Sequence, residues 1–100
     1  MTIESRELAL YTINTGELYR GQAQAIIANL AKKMRQDKFD KSLAIKAFEY
    51  LAEAGAKMYV KEFGSPDSKW NVMFVKSDRT LAAEEILEHY MEEITEKSKA

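Results

Sequence analysis

The only histidine of the chain, His89, lies in EEILEHYMEEITEKSK (residues 84–99), with Glu85 four residues before it and Glu93 four residues after. On a helix, side chains four apart share a face. An imidazole and two carboxylates would then stand in one row, a donor set able to hold a divalent metal. A solvated, glutamate-rich helix that carries one histidine accounts for the same residues more simply, so no metal site and no cofactor is assigned. Other chemistry is sparse. The chain has no cysteine, which excludes a thiol nucleophile, a zinc–thiolate site and a disulfide. It has no phosphate-cradling glycine loop, no paired-histidine metalloprotease motif and no nucleophile elbow. Asp37 and Asp40 lack the alternating oxygen ligands of a calcium loop. Most of the serines stand at expected helix ends or in loops, where a hydroxyl serves the backbone. No catalytic residue is assigned, and the chain reads as a non-enzyme.

What remains is charge, and it is sorted into blocks. KKMRQDKFDK (residues 32–41) carries Lys32, Lys33, Arg35, Lys38 and Lys41 against Asp37 and Asp40, a local balance of +3. The stretch from Glu84 to Lys99 holds six glutamates and two lysines, while the whole chain carries a net charge of −1. A clustered basic block can meet phosphates or an acidic protein surface. The near-neutral total argues against a protein built to coat nucleic acid. Glu92, Glu93 and Glu96 fall near a helix C-terminus, where negative charge is unfavourable, so something other than helix stability favours them. Three explanations are open: packing within the chain, a two-fold dimer in which each basic block meets the other's acidic helix, or an outside partner. Candidate partner-binding residues are therefore Lys32, Lys33, Arg35, Lys38 and Lys41 on one block, and Glu85, Glu88 and Glu92 on the other. Trp70, the only tryptophan, joins them as a possible interface anchor; its alternative role is to cover one end of the core.

The elements that must position these residues are helices. Tyr19, Ala23, Ile26, Ile27, Leu30 and Met34 recur at helical spacing and predict a helix over 17–36. DKFDKS breaks it, and Asp40 or Ser42 can cap the next helix. That helix runs to about Phe63 with Ala44, Ala47, Phe48, Leu51, Gly55, Met58 and Tyr59 inward and Lys46, Glu49, Glu53 and Lys57 outward. GSPDS (64–68) ends it, with Gly64 suited to a left-handed cap. The short run Val72–Val75 fits a helical turn or a strand equally. A last helix starts near Asp78, buries Leu81, Ala82, Ile86, Leu87, Tyr90, Met91 and Ile94, and is expected to fray at TEKSKA. Residues 3–20 read as a short helix, Ile3 to Ile13, turning at Asn14–Gly16. A hairpin is the alternative, disfavoured because an isolated one is marginal.

One hundred residues with 46% hydrophobic content make one small domain. The expected fold is all-α, three long helices plus the short N-terminal element. No apolar run approaches the roughly 20 residues of a membrane span. The N-terminus lacks the pattern of a secretory signal, so a cytoplasmic protein with no membrane partner is expected.

LYTINTGELYRGQAQAIIANLAKK followed by FDKSLAIKAFEYLAEAGAKMYVKEFG and a closing Ala/Glu-rich helix resembles a family of small uncharacterised helical proteins from phages and other mobile elements. The likeness rests on Leu10, Tyr11, Asn14, Gly16, Leu18, Tyr19 and the Lys61-Glu62-Phe63 run among others, and spans about residues 7–90. SPDSKWNVMFVKSD does not follow the pattern. The resemblance implies no chemistry. It implies a context, the cytoplasm of a bacterial host, and a mode, binding to a host protein or complex, in some cases to block a defence system such as CRISPR–Cas or a restriction enzyme. A nucleic-acid-binding accessory protein using residues 32–41, or a dimerising structural component, are the alternatives.

Overall fold

The computed structural model describes the backbone of residues 3–63 and 76–99, and the side chains of 5–62 and 79–99. Every regular element among them is helical. α1 spans Ile3–Asn14. α2 is composite: an α-turn Gly16–Leu18, a π-turn Tyr19–Ala23, then regular helix Gln24–Arg35. α3 spans Lys41–Phe63 and α4 spans Lys76–Ser98. The N-terminal element is thus a helix, not a hairpin. Gly64, Trp70 and the run Val72–Val75 lie outside the described residues.

Local chemistry sets each boundary. Thr15 is a joint: its hydroxyl donates to the Tyr11 carbonyl at the end of α1, and its own carbonyl accepts from Leu18 and Tyr19 N–H to start α2. The π-turn explains why Leu18 and Ala23, five residues apart, are both buried. The Gln24 N–H reaches back five residues to the Tyr19 carbonyl, and the wider turn restores register with Ile27, Leu30 and Ala31. α2 ends in a Schellman arrangement, Lys38 N–H to the Lys33 carbonyl and Asp37 N–H to that of Met34. Asp37, not a glycine, takes the left-handed position at φ 59°, which a short polar side chain tolerates better than most. Asp40 caps α3, its carboxylate accepting from Ser42 N–H at 2.8 Å and from Leu43 N–H at 3.4 Å.

One core lies among the four helices, and α4 packs against α1, α2 and α3. Leu8, Ile27, Phe48, Leu51, Ile86 and Ile94 are its large buried side chains. The predicted stripes hold, with two additions on α2, Leu18 and Ala31, two on α3, Ala52 and Ala56, and one on α4, Ala83. Tyr19, Ile26, Met34, Ala47, Met58, Leu81 and Met91 are only half-buried. α1 buries Ser5, Leu8, Ala9 and Thr12. Small residues face small residues there, so α1 and α3 approach closely at Thr12 and Gly55. The Thr12 hydroxyl would be costly to bury unpaired; it donates to the Leu8 carbonyl at 2.8 Å.

Two tyrosines tie this seam. Tyr59 donates to Glu7, Tyr11 donates to Glu62, and their rings meet edge to face at 5.0 Å. Burial, and then the bond to Glu7, push the Tyr59 hydroxyl from 10.0 up to about 12. The folded state therefore holds this proton more tightly than the unfolded chain does. The resulting stabilisation is complete below pH 10.0 and is lost as pH rises through about 12. The urea midpoint is expected to fall across that window, and less steeply for Tyr59→Phe, which has no proton to lose. An identical slope in the variant would remove Tyr59 as the cause.

Where fraying of TEKSKA is expected, α4 stays helical over residues 95–98. Thr95 and Ser98 hydroxyls donate to the carbonyls of Met91 and Thr95. From α2, the Arg35 guanidinium donates to the Lys97 carbonyl at 2.8 Å. A cation at a helix C-terminus also offsets the dipole that Glu92, Glu93 and Glu96 aggravate. Arg35→Ala should lower stability by up to about 1 kcal/mol, read most directly as faster amide exchange at residues 95–98. Unchanged exchange would mean that the contact does not hold the end.

Candidate functional site

α4 carries a ridge of exposed carboxylates, Glu84, Glu88, Glu92 and Glu96, repeating every four residues. A groove lies on each side of this ridge. The two differ in chemistry.

The first groove is an open cleft of about 490 Å³ between α4 and the segment that joins α2 to α3. Phe39, Leu87 and Met91 make an apolar floor, and Lys41, Glu84 and Glu88 form its charged margin. The Asp40 cap places Lys41 at the first turn of α3, beside the cleft. Lys41 lines the same cleft as Glu84 and Glu88, yet no ion pair within 4.0 Å joins it to either.

The second groove is acidic and aromatic. Tyr19, His89 and Tyr90 contribute rings, and Glu92, Glu93 and Glu96 contribute carboxylates. The π-turn of α2 begins at Tyr19, whose hydroxyl donates to Glu93 at 2.9 Å and whose ring lies 5.9 Å from that of Tyr90. Tyr90 is itself buried between Tyr19 and Phe48. Burial, and then the neighbouring Tyr19 and Glu93, raise its hydroxyl above the ordinary tyrosine value. The other oxygen of Glu93 is buried with no hydrogen-bond partner, as is one oxygen of Glu85. Among the described residues no three His, Asp or Glu side chains come together as a metal site. The row Glu85–His89–Glu93 is divided: Glu93 turns to Tyr19, and the His89 ring packs edge-on to Tyr90 at 4.8 Å.

The candidate residues do not form one site. Lys41 and Glu88 share the first cleft, while Glu92 belongs to the second groove. Lys32 and Lys38 are exposed, Lys33 is half-buried, and none of them lines either groove. Arg35 is engaged with α4. Glu85 is half-buried, with one oxygen facing inward. Trp70 lies outside the described residues. Phe39, Met91, Tyr19 and Glu93 were not anticipated as groove residues. No local pattern marks them, because Tyr19 and Glu93 stand 74 residues apart in the chain. No helix among the described residues is long and apolar enough to cross a membrane. No family model, curated protein or solved structure matches the chain.

Proposed function

We propose that this chain is a non-enzymatic binding protein of a phage or mobile element, and that it occludes a basic surface on a protein or complex of its bacterial host. A defence complex of the CRISPR–Cas kind is the target class that the resemblance in sequence suggests. The observation that carries the reading is the acidic, aromatic groove of α4. Its carboxylates sit where they cost helix stability, so their presence there calls for another use. Rings beside carboxylates suit a guanidinium or ammonium group, which gains from a ring face as well as from charge.

The test is biological and then biochemical. The chain, expressed in bacteria with an active CRISPR–Cas or restriction system, should restore plating of a targeted phage. It should also co-purify with a component of that system. Glu92→Lys combined with Glu96→Lys should lower binding by about tenfold or more, since like charges across an interface are costly, while leaving helical content unchanged. Neither restored plating nor capture would end this reading. A second reading, binding to nucleic acid, is favoured by one observation: Lys32, Lys38 and Lys41 are exposed and form no ion pair among the described residues. A mobility shift at low salt that weakens steeply with added salt would select it.

A further inference from the structure

We infer that the cleft between Phe39, Leu87 and Met91 is a self-association surface, and that its occupant is the same cleft of a second copy of this chain. The argument begins with what the cleft leaves unfinished. Its floor is apolar, with Phe39 and Met91 half-buried above a buried Leu87, and its margin carries one cation, Lys41, and two anions, Glu84 and Glu88. These charges stay out of ion-pair distance within the chain. An outside partner would have to supply an apolar group together with both signs of charge. A second copy supplies all three. A two-fold axis through the floor sets apolar residues against apolar residues. It carries Lys41 of each copy to the Glu84 and Glu88 side of the other. A patch whose margin carries both signs of charge around an apolar centre can be self-complementary in this way, which is the requirement of an isologous contact. The acidic groove lies on the other side of the α4 ridge, so a dimer of this kind leaves it free, and the inference does not rest on the proposed function.

Sedimentation of the whole chain, with two charge reversals, tests the pairing. The parent protein should sediment as a dimer at high micromolar concentration and dissociate as salt is added. Lys41→Glu should weaken self-association by about a hundredfold, because each copy then sets glutamate against glutamate. Glu84→Lys combined with Glu88→Lys should do the same by setting lysine against lysine. An equimolar mixture of these two self-repelling variants should recover the dimer, since the carboxylate introduced by Lys41→Glu in one copy then meets the ammonium groups introduced in the other, while native Lys41 meets native Glu84 and Glu88. All three positions are exposed, and unchanged far-ultraviolet circular dichroism confirms that the variants fold. A monomeric parent overturns the inference. So does a dimer indifferent to either reversal, or a mixture that stays monomeric.

Discussion

Phe48→Ala is expected to destabilise the chain by about 3–5 kcal/mol, the usual loss for a fully buried phenylalanine. Phe48 is 0% exposed and its ring stacks on that of Tyr90 at 6.0 Å. The change removes apolar burial and leaves a cavity at the meeting of α3 and α4, where little can collapse to fill it. Domains of this size are stable by about 5–15 kcal/mol in total, so the variant should sit close to the edge of unfolding at ordinary temperature. Urea denaturation measures the loss directly. A loss under about 1 kcal/mol would place Phe48 outside the core. The consequence extends to the acidic groove, because Tyr90 is both the partner of Phe48 and a wall of that groove.

Gly55→Ala should also destabilise, against the direction that helix propensity gives. In an unconstrained helix interior, alanine is better than glycine by about 1 kcal/mol. At position 55, however, an added methyl would overlap the Thr12 hydroxyl and stand 3.2 Å from Thr12 Cβ. Thr12 is 1% exposed and bonded to the backbone of its own helix, so it has nowhere to move. Forcing α1 and α3 apart should leave a net loss of about 1–3 kcal/mol. A double-mutant cycle isolates the cause. In a Thr12→Ala background the penalty of Gly55→Ala should shrink by about 1 kcal/mol or more, since the obstructing atoms are gone. Strictly additive losses would show that the glycine serves some other purpose.

The charge blocks now have separate roles. Arg35 alone of the basic block completes the fold, by closing the end of α4. Lys41 and Glu88 line one cleft without pairing, and Glu92 lies in the other groove. Lys32 and Lys38 stay in solvent. Packing within the chain thus accounts for one of five basic side chains and leaves the others available to partners.

Helix content, the start of α3 and most of the inward faces of α2, α3 and α4 were legible in the chain by itself. Each depends on neighbours within a turn or two: apolar residues at a period of 3.6, Asp40 at an N-cap, basic residues at the end of α2. The face of α1 was not legible, because Ser5 and Thr12 share it with Leu8 and Ala9, and a buried hydroxyl carries no hydrophobic signal. The π-turn was hidden for a related reason. Tyr19 and Ala23 look like a regular repeat, and only the core shows that Leu18 must turn inward as well. The end of α4, over residues 95–98, is bonded by Arg35 of another helix. The need for glycine at position 55 depends on Thr12 of another helix. The two grooves of α4 exist because side chains distant in sequence converge there. Local bonding energies are written in short stretches of sequence, but which faces meet is decided by burying the four described helices against one core, and only tertiary structure settles that.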